Sequence, residues 1–95
     1  MRDSLEATGF SRYHLHRAGY GLGIAYPPHW DEGGIVSLRA GDATQLQPNM
    51  VFHLLPALYF FNETLIACTE TVLITESGCE ILSDFPPGFV RARTL

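Results

Sequence analysis

The chain predicts an α+β domain built mainly of antiparallel strands with a short N-terminal helix, and three observations carry that expectation. The run L-I-A-C-T-E-T-V-L-I-T at residues 65–75 is rich in β-branched side chains and reads as a central strand. Glu76, Ser77 and Gly78 follow as a tight turn, and residues 79–82 return antiparallel to complete a hairpin. The opening residues are polar and compatible with a helix, and Gly9 stands where a helix is left through a glycine. Ninety-five residues make one domain with a modest core, since a chain of this size buries only roughly 60 to 68% of its unfolded surface.

Taken in order, residues 3–8 form the tail of a helix too short to exist independently, as if it were the remainder of a longer one. Residues 10–17, F-S-R-Y-H-L-H-R, alternate in a way that predicts a strand, with Tyr13 and Leu15 on one face and His14 and His16 on the other. Two histidines so spaced can share a metal, although a pair of surface histidines is the commoner meaning. The densest stretch is residues 17–30, R-A-G-Y-G-L-G-I-A-Y-P-P-H-W. As a strand it puts Gly19, Gly21 and Gly23 on one face, bare of side chains, so that a ligand, a helix or a neighbouring strand can approach closely. Pro27 and Pro28 end any ladder pairing, and His29, Trp30, Asp31 and Glu32 form a polar and aromatic cluster on the loop beyond it. That cluster either lines a site or plugs the space beneath the loop.

Gly33 and Gly34 open a loop that Ile35, Val36 and Leu38 partly anchor, and residues 39–49 are polar turn material. Residues 50–55 and 58–61 form an apolar strand pair or one long bent strand, with Pro56 at an edge or a bulge. His53 is the titratable group of this run, either a core histidine bonded to backbone or a general acid or base aimed into a cleft. Glu70 is the anomaly of the central strand, because a carboxylate among apolar neighbours is costly unless it faces water or serves a site. Residues 84–88 close the domain and residues 91–95 form a tail.

Composition removes several function classes. Six basic residues against ten acidic ones give a formal charge of −4, and the basic ones form no stripe, so no nucleic-acid partner is expected. The start is polar, without an apolar signal region, and the apolar run at residues 50–61 falls short of the roughly 20 residues that cross a bilayer. No membrane association and a cytoplasmic location are the expectation. Cys68 and Cys79 have neither zinc spacing nor a disulfide framework, and read as small buried hydrophobes or as neighbours across a hairpin. Asn62-Glu63-Thr64 matches a glycosylation acceptor by chance.

The order G-Y-G-L-G, then L-Q-P-N-M-V-F-H-L-L-P-A-L-Y, then T-E-T-V-L-I-T-E-S-G-C-E-I-L resembles the C-terminal part of the creatinase and aminopeptidase P family, whose catalytic domain has the pita-bread fold. The resemblance runs from about Gly9 to Pro87. Tyr26-Pro27-Pro28-His29-Trp30-Asp31-Glu32 is similar to a piece found in the branch of ectoine-hydrolase-like and Xaa-Pro dipeptidase-like proteins. The peptidases of the family hold two metal ions with two aspartates, one histidine and two glutamates. In the resemblance the histidine of G-H-G-I-G falls at Tyr20 and a later histidine at Pro27. The glutamate of M-V-F-T-I-E-P-G-L-Y falls at Leu55, and that of R-I-E-D-T-V-L-V-T at Thr69, with Glu70 at the neighbouring acidic position. Every metal ligand expected in this segment is replaced by a group that binds metal poorly or not at all. The resemblance therefore implies the metal-free, cofactor-free side of the family, where creatinase hydrolyses a C–N bond of a small guanidinium-bearing acid.

Such a reaction needs a base to activate water, donors for a tetrahedral oxyanion and an acid for the departing nitrogen. On a small cationic substrate, Glu70 or Glu32 would orient the charge and Trp30 would offer it an aromatic face, with His29 beside it. His53 would act as acid or base, and Tyr20 would donate a hydrogen bond where the peptidases place a metal. Family members run to several hundred residues, so residues 1–95 are expected to be a partial pita-bread domain without its first half or N-terminal domain. Its expected partners are the missing N-terminal lobe or a second copy.

Overall fold

A computed structural model describes residues 2–29, 34–91 and 93. Among the described residues there are one short helix, one 3-10 turn and seven strands, which is the α+β architecture with dominant antiparallel pairing that the sequence predicts. Helix α1 (Arg2–Thr8) ends as expected: Gly9 takes φ +77°, and its N–H donates to the Glu6 carbonyl at 3.1 Å. Glycine carries no Cβ to clash in this left-handed conformation.

Residues 10–17 depart from expectation. Instead of a strand, Ser11–Tyr13 form a 3-10 turn, closed by N–H bonds from Tyr13 to Phe10 and from His14 to Ser11. The aromatic rings explain why. The turn sets Phe10 and Tyr13 side by side at 6.2 Å, and both meet Phe60, at 6.3 and 4.6 Å. An alternating strand would have pointed Phe10 and Tyr13 to opposite faces, so tertiary packing overrides the local pattern.

Strand β1 (Gly19–Leu22) pairs with β2 (Ser37–Leu38) on one side and β3 (Val51–Leu54) on the other. The expected loop at residues 33–38 thus includes a two-residue edge strand. β3 continues past Pro56 into β4 (Ala57–Phe60), and the chain returns as β5 (Thr64–Ala67) and β6 (Glu70–Ile74). β7 (Cys79–Ile81) then follows the expected hairpin turn, closed by the Thr75 N–H to the Gly78 carbonyl at 2.9 Å. The strands form a five-stranded sheet in the order β2-β1-β3-β6-β7 and a separate two-stranded ribbon, β4-β5.

Sheet and ribbon are one long hairpin. Leu54 faces Glu70 and, three residues further along each strand, Ala57 faces Ala67, so the register passes unbroken through the interruption. Proline lacks the N–H that a ladder needs, and Pro56 contributes only its carbonyl, which accepts from the Cys68 N–H at 3.3 Å. The expected single strand at residues 65–75 is therefore two strands in two sheets, and residues 50–55 and 58–61 pair with that returning run rather than with each other. Cys68 lies in the break and Cys79 opposite Ile74; both are exposed and free, neither buried nor cross-strand partners. Among the described residues Tyr20, Phe52, Ala57 and Val72 form the buried apolar core.

Candidate functional site

A neighbouring strand approaches the glycine-rich strand closely at Gly19. A Cβ added at Gly19 would lie 2.5 Å from the His53 carbonyl oxygen and 3.2 Å from the Leu54 Cα, both of β3. That contact is what the absent side chain permits, and it draws β1 and β3 together at the point where their polar residues meet.

Register then assembles a polar row. Tyr20 pairs with Ser37 on β2 and with His53 on β3, and His53 pairs with Thr71 on β6. Directly opposed residues of antiparallel strands share a face, so Ser37, Tyr20, His53 and Thr71 cross four strands side by side over roughly 15 Å. The Tyr20 and His53 rings lie 5.3 Å apart at 47°. Tyr20 and Ser37 are buried, while His53 and Thr71 are half-buried. Arg17 comes in just ahead of β1, its guanidinium carbon 4.5 Å from the centre of the Tyr20 ring and its Nη1 donating to Ser37 Oγ at 3.0 Å. At the far end the Thr71 N–H donates to Ser83 Oγ at 3.2 Å.

Of the residues nominated from sequence, Tyr20 and His53 are brought into contact and Glu70 is not. Glu70 is the register partner of Leu54, which faces Gly19, and this places it on the opposite face of the sheet. It is half-buried, and its Oε2 is shielded without a hydrogen-bond partner among the described residues. His29 is exposed and lines a cavity of about 510 Å3 together with Arg17, Tyr26 and Ile35. Trp30 and Glu32 lie outside the described residues. A larger cavity, about 1020 Å3, is also lined by Arg17, together with Arg12, His14, His16, Arg39 and Asp42 among others. His14 Nε2 is buried there without a hydrogen-bond partner among the described residues. Asp42 has its carboxyl held below the ordinary value of 3.8, first by a hydrogen bond from the Thr44 side chain and then by the Thr44 N–H, which reaches Asp42 Oδ1 at 2.9 Å.

Arg17, Ser37 and Thr71 were not singled out by sequence. The signal for Thr71 was available, since counting outward from the turn at residues 61–63 pairs it with His53. Ser37 gives no such signal, because a two-residue edge strand has no periodicity to read.

As to a metal, no group of three or more His, Cys, Asp or Glu among the described residues is placed to hold one. Tyr20 presents a phenol, Leu55 an alkyl chain and Thr69 a lone hydroxyl where the resemblance expects imidazole and two carboxylates. These donors do not fit a dinuclear centre, and no step below passes through one.

The sequence and geometry find counterparts among known proteins. Ectoine hydrolase of Halomonas elongata is 47% identical over 83 residues, 87% of this chain and 20% of that protein. Among solved structures, dipeptidase PepE from Mycobacterium ulcerans superposes with a TM-score of 0.77 at 28% identity, covering 90% of this chain and 21% of that one. X-Pro aminopeptidase from Thermotoga maritima gives the same TM-score and identity over 92% of this chain and 23% of its own. The chain thus spans about a fifth of the length of these relatives. The description of metallopeptidase family M24 matches residues 1–76. On that match and these likenesses, the chain belongs to metallopeptidase family M24 and carries part of its pita-bread fold.

Proposed function

We propose that this chain is the C-terminal lobe of an M24 hydrolase that cleaves a C–N bond of a small molecule without a metal, in the manner of an ectoine hydrolase. The observation that carries this reading is the Tyr20–His53 pair, two proton-bearing side chains in ring contact where the family's metal ligands would otherwise begin. His53 takes a proton from water as the water oxygen bonds to the carbon under attack, and the Tyr20 hydroxyl donates to the oxyanion that forms there. The C–N bond then breaks, and the proton passes from His53 to the departing nitrogen. Glu70, on the other face, is the weaker of the nominated catalytic residues.

The unit that turns over includes more than these residues. Phe61, Ile66, Ile81, Phe85 and Phe89 are all exposed, which supports a complementary lobe or a second copy covering them. The same exposure supports a second reading, a module that binds such a partner without doing chemistry.

Ectoine is the probe substrate, assayed with the chain assembled with its complementary lobe. Turnover is expected to survive a chelator and to fall about 100-fold or more in His53→Ala, in keeping with the usual contribution of general acid–base catalysis. Loss of turnover on chelation, with recovery on added Mn2+ or Co2+, would replace this reading with a metallopeptidase. Tight assembly without turnover on any C–N substrate would favour the binding module.

A further inference from the structure

We infer that Arg17 is a positioning residue that fixes the orientation of the Tyr20 ring, and that Ser37 is its anchor. This rests on the reading of Tyr20 as the oxyanion donor and adds what holds that donor in place. A tyrosine ring turns easily about its Cβ–Cγ bond, and its hydroxyl direction varies with the rotation of the whole side chain. Here the ring has two planar neighbours. The Arg17 guanidinium covers it at 4.5 Å, and the His53 imidazole lies 5.3 Å away.

The guanidinium is itself anchored on β2. Its Nη1 donates to Ser37 Oγ at 3.0 Å, and Ser37 is 4% exposed, in register with Tyr20 on the adjoining strand. The backbone on either side of that contact is tied by the Ala18 N–H to the Leu38 carbonyl at 2.7 Å and the Gly21 N–H to the Val36 carbonyl at 3.1 Å. Arg17 therefore reaches from the lead-in of β1 across to β2 and lies over the ring between them. A planar fork suits this task, since one nitrogen can bond the hydroxyl while the flat face stacks on the ring, a combination that a lysine ammonium lacks.

Three variants in the full chain, Arg17→Met, Arg17→Lys and Ser37→Ala, test the inference alongside Tyr20→Phe. Two readouts are taken: aromatic NMR of the Tyr20 ring with the Arg17 δ-methylene protons, and kcat against KM in the assembled enzyme. In the unmodified chain the Arg17 δ protons are expected upfield, from the ring current. Arg17→Met is expected to shift the Tyr20 ring resonances and to lower kcat about 10- to 100-fold at unchanged KM, the scale of a small misplacement of a reacting group. Arg17→Lys should recover little of this, and Ser37→Ala should give a smaller loss of the same kind. If Tyr20→Phe abolishes turnover while Arg17→Met leaves kcat and the ring resonances as they were, the positioning role is overturned and the role of Tyr20 stands. If Tyr20→Phe keeps full turnover, the proposed chemistry fails. Arg17 is then judged on the ring alone, and unshifted Tyr20 resonances in both Arg17→Met and Ser37→Ala overturn it. Ser37→Ala removes one hydroxyl and keeps the test decisive should an Arg17 variant fail to fold.

Discussion

The five-stranded sheet and the β4-β5 ribbon are two halves of one hairpin in one register, yet they differ in what their side chains meet. At the middle of the sheet Phe52 is 1% exposed and Val72 4% exposed, whereas all four residues of β5 are exposed and Phe61 at the ribbon's turn is 77% exposed. Backbone pairing is equally regular in both. The difference teaches that ladder hydrogen bonds do not by themselves distinguish a stable part of this molecule from a dependent one, because a two-stranded ribbon alone is marginal in water. What anchors the ribbon is β4: Ala57 at its base is buried, and Phe60, beside the turn, packs on Tyr13 and Phe10. Phe61 at the turn and the side chains of β5 are exposed among the described residues.

The sharpest way to break this comparison is to remove the same side chain from each half. Phe52→Ala leaves a cavity at the centre of the sheet and is expected to cost about 3–5 kcal/mol, a large share of the stability of a small domain. Phe61→Ala is expected to stay within about 0.5 kcal/mol, as exposed substitutions usually do. Urea unfolding midpoints of the two variants measure both. Equal losses would mean that the ribbon's end is buried in solution, by a partner or by a second copy.

A smaller effect tests the seam between β1 and β3. Gly19→Ala places a methyl against the His53 carbonyl oxygen and the Leu54 Cα, and both are backbone atoms that cannot swing aside. Such overpacking is expected to cost about 1–3 kcal/mol and to part the Tyr20 and His53 rings. Gly34→Ala is the control, because a Cβ there meets nothing within 4 Å and no left-handed φ stands in its way. It should be neutral or stabilising by up to about 1 kcal/mol. If both variants behave alike in thermal unfolding, the close approach at Gly19 is not what holds the two strands together.

These sites also mark how far the sequence could be read. The hairpin at residues 74–79 and the helix stop at Gly9 were legible because each depends on neighbours in the chain, a turn residue or a left-handed glycine. The bare face at Gly19 was legible as a close approach, but not as an approach by β3, since nothing local says which strand comes alongside. Residues 10–17 misled, because Tyr13 and Leu15 alternate with His14 and His16 as in a strand, while Phe60, the real partner of Phe10 and Tyr13, lies some fifty residues away. For the site, the nomination of Tyr20 and His53 came from residue type and resemblance. Their contact came from register, as did the separation of Glu70 onto the other face. Arg17 and Ser37 stayed invisible, because one reads as a scattered basic residue and the other as loop.

The smallest expected effect separates the two halves by acid. Neither strand of the ribbon carries a carboxylate, whereas the loop leaving the sheet's edge strand is pinned by Asp42, whose Oδ1 accepts the Thr44 N–H. Because hydrogen bonds from the Thr44 side chain and then its N–H hold the folded carboxyl below 3.8, the folded loop binds its proton less readily than the unfolded chain does. Its contribution to stability is therefore fully present above the ordinary carboxylate value and is lost as pH falls through the lower folded value, not as pH rises. Between about pH 5 and 2.5, amide resonances of residues 42–44 should move with a single acid transition while those of β4 and β5 hold still. Asp42→Asn should abolish the transition and leave the ribbon's resonances in place. If the ribbon amides follow the same titration, the two halves share one acid-sensitive unit, and the contrast between a self-sufficient sheet and a dependent ribbon fails at its weakest link.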